Sequence, residues 1–202
     1  MRRRGGHVAN ATTSGRRDVA FRFGLFSVGA WVLGESSCDA IPLAPLGKAL
    51  SYANKRTDLK AEEVKDVLEK GLRAGKYFIN SSGMPTEVFD DDCRFVDPTN
   101  DVVGLSRYVK ALDLLFVTEN SQLDLLEIAV VDSKTIEAKY VLGGYLKFPW
   151  KPCVKPYSGV VTYTLGTSGL VEKQEQTWSI SGAEALKETF SACPNPKINF
   201  NS

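Results

Sequence analysis

Apolar residues recur at helical spacing in the first half of the chain and with a period of two in the second. Val64, Val67, Leu68, Leu72, Phe78 and Ile79 form one stripe, which predicts a helix over 58–79. Thr57 or Asp58 can cap it, and Glu62 and Glu63 lie in the first turn, where the helix dipole favours acids. Gly71 and Gly75 weaken this helix in isolation and permit close packing. One helical turn is expected at Pro85–Phe89 and a short strand at Cys93–Asp97. Asp97-Pro98-Thr99-Asn100 is a turn signal, and Asn100 or Asp101 can cap a second helix over 102–117. That helix puts Leu105, Tyr108, Val109, Leu112, Leu115 and Phe116 on one face.

Strands are predicted at about 123–131, 135–148, 157–165 and 170–179, with a hairpin turn at Gly166-Thr167-Ser168-Gly169. In the clearest of them, Ile136, Ala138, Tyr140, Leu142, Leu146 and Phe148 share one face; Glu137, Lys139, Tyr145 and Lys147 share the other. One buried and one wet face is the mark of an antiparallel sheet. Between the second and third strands lies PWKPCVKP, whose Pro149, Pro152 and Pro156 argue against a central ladder strand there. Ser181 can cap a last short helix over 182–190. The fold class is therefore α+β, a curved antiparallel sheet wrapping N-terminal helices.

Composition adds an address. Of 202 residues, 43% are hydrophobic and 24% charged, an ordinary balance for a globular domain, and the net charge of +1 suggests no nucleic-acid partner. Residues 1–17 hold five arginines and no acid, as transit peptides do. Arg16-Arg17 precede an uncharged run from Phe23 to Gly34 and the small residues Ser36 to Ala40, which resembles a twin-arginine export signal with a cleavage site. The division is thus a leader at 1–40, a lead-in at 41–57, one domain at 58–190 and a tail at 191–202. A transit-like segment followed by such a signal is the two-part address of the thylakoid lumen; a bacterial periplasm is the alternative, and both support disulfides. Residues 41–202 keep 19 basic and 21 acidic groups, a net −2.

His7 is the only histidine, and it lies in the leader. Its loss with the leader would remove Ser-His-Asp and Cys-His catalysis and histidine-ligated metals. No Cys-x-x-Cys occurs, so neither a zinc ribbon nor a thioredoxin-like site is supported. With Cys38 at the leader's cleavage site, Cys93, Cys153 and Cys193 remain. Pairing of Cys153 with Cys93, its pairing with Cys193 and three reduced thiols all stay open. Asp90-Asp91-Asp92 reads as a solvated loop, because consecutive carboxylates cannot all turn to one ion. No metal and no cofactor is expected.

Phe95-Val96-Asp97-Pro98, Gly104 with Tyr108, Gly144, Pro149-Trp150-Lys151-Pro152, Gly159, Tyr163, Gly169-Leu170-Val171 and Trp178 follow one another in a telling order. Over about 60–190 the chain resembles the nuclear-transport-factor-2-like cone fold and, within it, the SnoaL-like family of uncharacterised plant, algal and cyanobacterial proteins. The resemblance implies the fold, favours a plastid and implies no activity. Enzymes of this fold use a pocket carboxylate as base and a tyrosine as oxyanion donor, which would make Asp97 the catalytic candidate here. Relatives often carry a histidine and an acid in the last strand, where this chain has Gln174, Glu175 and Gln176.

The favoured reading of Asp97 is nevertheless that it closes its turn and caps the second helix, with the catalytic base as the alternative. Phe95, Tyr108, Leu112, Tyr140, Leu142, Tyr163 and Trp178 are the expected pocket lining, or else core aromatics and aliphatics with satisfied polar tips. Lys147, Lys151 and Lys155, with Trp150, are either a protected sheet edge or a basic docking strip. The favoured expectation is a non-catalytic accessory or binding protein of the thylakoid lumen, docking on a membrane complex. A carrier of a small apolar ligand and an isomerase-, dehydratase- or cyclase-like enzyme are the alternatives, and a homodimer through the sheet is compatible with all three.

Overall fold

The structure is a computed structural model, and it describes residues 50–193; the expected leader, most of the lead-in and the end of the tail lie outside the described residues. The first helix, α1 (Ala61–Arg73), is shorter than its apolar stripe suggested. Ala61, Val64, Leu68 and Leu72 are its buried face, and the Lys60 N–H donates to the Glu63 carboxylate at 3.0 Å. Asp58 does not cap it. That residue adopts φ 62°, and its N–H donates to the Ser168 carbonyl at 2.8 Å, which ties the lead-in to the far hairpin turn. Gly75, with φ 72°, stops the helix, as a glycine just past a helix end commonly does. Tyr77, Phe78 and Ile79 are consequently buried from a turn.

Two single turns of 3₁₀ helix lead into β1 (Phe89–Asp97). The Asp90–Asp92 run expected as a loop belongs to this strand. Asp91 pairs with Lys55 at 2.8 Å and also accepts from Ser51, which clamps the lead-in. Burial alone would raise the Asp91 pKa, but Lys55, Ser51 and the Tyr52 N–H hold it below the usual value. A tight turn returns the chain as β2 (Asn100–Val103), a strand where the apolar pattern predicts the start of a helix. Gly104, at φ 107°, then starts α2 (Leu105–Leu115), so neither Asn100 nor Asp101 is its cap. Leu105, Val109 and Leu112 face inward, whereas Leu115 in the last turn is 39% exposed.

β3 (Gln122–Asp132), β4 (Thr135–Tyr145), β5 (Cys153–Leu165) and β6 (Val171–Trp178) form the expected antiparallel meander. The complete sheet has the order β2-β1-β6-β5-β4-β3. Because β1 runs parallel to β6, the sheet is mixed and not purely antiparallel. The α+β class stands, with the core between the sheet and α1 and α2. All core residues lie between Ala61 and Val171, so residues 41–202 carry the described domain's whole core and all its strands.

Two local departures matter for the corner between β4 and β5. The pairing slips between Leu142 and Gly144, and the chain leaves the sheet after Leu146; Phe148, expected on the buried face, is 36% exposed. Pro156 lies inside β5, contrary to the proline argument. It sits in that irregularity and before Gly159, where pairing with β6 starts, so no ladder bond is lost to it. α3 (Gly182–Thr189) closes the described chain, with Ser181 accepting from the Glu184 N–H as expected.

Candidate functional site

The interior is organised by tyrosines and two glutamines. β6 turns Gln174 and Gln176 inward while Glu175 faces out and pairs with Lys173 at 2.6 Å. Gln174 accepts from the Tyr77 hydroxyl at 3.0 Å and donates to that of Tyr108 at 3.1 Å. Gln176 accepts from Tyr140 at 2.6 Å and from the Trp178 indole at 3.4 Å, and it donates to Tyr108 at 3.5 Å. Tyr163 is fully buried, edge-on to the Tyr77 ring at 6.3 Å, with its hydroxyl interacting with that of Tyr77. Phe95 stacks on Tyr108 with ring centres 3.9 Å apart, and Phe78 lies 4.9 Å from Tyr140. Gly159 makes the arrangement fit: a Cβ there would come within 2.4 Å of the Tyr140 ring.

Burial raises the pKa of Tyr77, Tyr108, Tyr140, Tyr157 and Tyr163 above the ordinary tyrosine value. All five are neutral hydroxyls near pH 7. Among the described residues, no carboxylate, lysine, arginine or histidine is buried in this core. Cys93 is a buried free thiol, pushed far up by desolvation and therefore not a nucleophile.

Each residue expected to line a pocket is accounted for. Phe95, Leu112, Tyr140, Leu142 and Tyr163 lie in the core, with Tyr108 and Trp178 packed against it. Tyr77, Tyr157, Gln174 and Gln176 were not among the candidates. Tyr157 and Tyr163 are six residues apart on one strand, a period-two signal that was available; Tyr77 was hidden by the overlong helix.

Asp97 lies at the rim, partly buried. Its Oδ1 accepts from the N–H and hydroxyl of Thr99 at 2.7 Å each and from the Asn100 N–H at 2.9 Å. The Asn100 amide donates to both of its oxygens at 3.2 Å. These bonds close the β1–β2 turn; they do not cap α2.

A second assembly lies on the β4–β5 corner. Val117, Asn120, Tyr145, Leu146, Lys147, Phe148 and Lys151 line an open cleft of about 450 Å³. Phe148 and Trp150 stack at 5.0 Å, and Phe190 follows at 6.5 Å. The Trp150 indole donates to the Thr189 carbonyl at 2.8 Å. Lys155, expected with the docking residues, instead engages Glu188: its N–H donates at 3.2 Å and its Nζ stands at 3.9 Å. A Cys153–Cys193 disulfide resolves the open pairing and leaves Cys93 free. Phe190 and Cys193 reach Trp150 and Cys153 from some 40 residues away, a meeting that no local pattern announces.

α3 buries no residue of its own, so these corner contacts hold it. Cys193→Ser is expected to raise hydrogen exchange across 182–189 while β5 and β6 stay protected, and to lower global stability by about 2–4 kcal/mol for this loop length. Unchanged exchange in α3 would show that the helix docks without the disulfide.

The architecture defines an α+β protein whose sheet is filled by a neutral tyrosine–glutamine core. The chain belongs to the family of uncharacterized conserved proteins DUF2358, whose model matches residues 65–174. No curated protein matches it. Among solved structures, it is similar to a SnoaL-like polyketide cyclase, so named provisionally, from Jannaschia sp. CCS1. Identity is 17%, 69% of this chain and 99% of that one are covered, and the TM-score is 0.48. It is also similar to the epoxide hydrolase/cyclase-like enzyme SalBIII of salinomycin pyran-ring formation, at 13% identity over 59% of this chain and 94% of that one, TM-score 0.46. An NTF-2-like protein of unknown function from Burkholderia xenovorans LB400 matches at 14% identity over 62% and 92%, TM-score 0.43.

Proposed function

We propose that the protein is a non-catalytic accessory or binding module of the thylakoid lumen that docks on a photosynthetic membrane through its β4–β5 corner. The observation that carries the first half is the chemistry of the interior. Its polar atoms are neutral tyrosine and glutamine groups, and the acid candidate, Asp97, is committed through Oδ1 to closing the β1–β2 turn. The leader sequence and the Cys153–Cys193 disulfide support an oxidising compartment reached by export.

Co-sedimentation with thylakoid membranes, lost at high salt, is the test of docking; a protein that stays in the supernatant at every ionic strength overturns it. Asp97 gives a second test. Asp97→Asn retains an Oδ1 for the turn and is expected to change stability by less than about 1 kcal/mol, whereas Asp97→Ala is expected to cost about 1–2 kcal/mol. If Asp97→Asn abolished turnover of any substrate in a protein of unchanged melting temperature, the non-catalytic reading would fall.

A further inference from the structure

The β4–β5 corner shows solvent an arrangement that the core does not require. Phe148, Trp150 and Phe190 are 36%, 43% and 69% exposed, yet their rings lie nearly parallel, with interplanar angles of 5° and 14°. The stack is fixed from behind by the Trp150–Thr189 hydrogen bond and the Cys153–Cys193 disulfide. Leu186, also on α3, is 44% exposed. Beside the stack, Lys147 and Lys151 flank the cleft whose apolar wall is Val117, Leu146 and Phe148.

The lysines at this corner differ in their partners. Lys155 stands 3.9 Å from Glu188. The Lys147 ammonium donates to the Asp113 backbone carbonyl at 2.7 Å, and among the described residues neither Lys147 nor Lys151 makes an ion pair. Residues 41–202 are net negative as a whole, so two lysines outside any ion pair beside exposed aromatic rings are a local feature.

We infer that this corner is a peripheral membrane-binding surface for a bilayer carrying anionic lipids. Aromatic rings settle at the headgroup level, and lysines keep their stems among apolar groups while their ammonium groups reach anionic headgroups. The Trp150 indole N–H is already used internally, so the stack offers shape and apolar area but no polar handle for reading a particular protein partner. A fluid headgroup layer adapts to such a surface. Insertion would be interfacial, because no described helix is long and apolar enough to cross a membrane. The inference rests on the docking reading above and narrows it to lipid.

The test is flotation of residues 41–202 with phosphatidylcholine vesicles prepared with and without phosphatidylglycerol. Binding is expected only with phosphatidylglycerol. It should weaken about tenfold or more in Lys147→Glu/Lys151→Glu, and also in Trp150→Ala, with melting temperatures of both variants checked. High salt should lower it further. Equal binding to both vesicle types, or binding unchanged in both variants, overturns the inference. No vesicle binding by a protein that still sediments with thylakoid membranes also overturns it, and would leave docking to an acidic protein surface.

Discussion

Raising the pH past about 10 is expected to unfold the protein over a narrow interval, with its tyrosines ionising together as it does so. Tyr77, Tyr108, Tyr140, Tyr157 and Tyr163 are all held protonated by burial. Their folded pKa values lie above the unfolded one, so the stability they carry is complete below about pH 10. Above that, the unfolded chain releases protons that the native state keeps, and stability falls as pH rises toward the folded values. One unit past the unfolded pKa, each tyrosine takes away about 1.4 kcal/mol, or roughly 5–7 kcal/mol for the set. That is comparable to the whole stability of an ordinary domain, about 5–15 kcal/mol. Tyrosinate absorbance and far-ultraviolet circular dichroism should change at one pH. Gradual ionisation with the dichroism unchanged would mean that the interior admits water or opens locally, and the carrier reading would gain.

The second large effect concerns Gln174, which is fully buried between Tyr77 and Tyr108. Gln174→Leu keeps the approximate volume and removes both hydrogen bonds. It leaves the Tyr77 hydroxyl without its acceptor and removes one donor to Tyr108, at a cost of about 2–4 kcal/mol. The melting temperature should drop by roughly 10 °C. Adding Tyr77→Phe should cost less than the two single changes summed, because an orphaned hydroxyl is dearer than an absent one. Urea unfolding of the two single variants and the double variant measures this. A neutral or stabilising Gln174→Leu would show that the network serves something other than the fold, and a ligand would be the first candidate.

The same two glutamines show what could be seen early. Their place before Trp178 departs from the resembled pattern, and a period of two sets Gln174 and Gln176 on the face opposite Glu175 without saying which face is buried. It could not reveal that they join Tyr77, Tyr108 and Tyr140, which come from a turn, a helix and another strand. Asp97 followed a similar course. Its turn chemistry is local and legible in Asp-Pro-Thr-Asn, while the competing catalytic role depended on where its oxygens point.

The amino-acid pattern by itself determined the α+β class, the four-strand meander, the buried face of β4 as far as Leu142 and the Ser181 cap of α3, since each depends on periodicities and side-chain–backbone bonds within a few residues. Only the tertiary structure decided the parallel pairing of β1 with β6, the choice of Cys193 over Cys93 and the ring stack that joins Trp150 to Phe190. Those features depend on groups far apart in the chain. They form because burial of the aromatic core brings these segments together, and no local preference encodes that meeting.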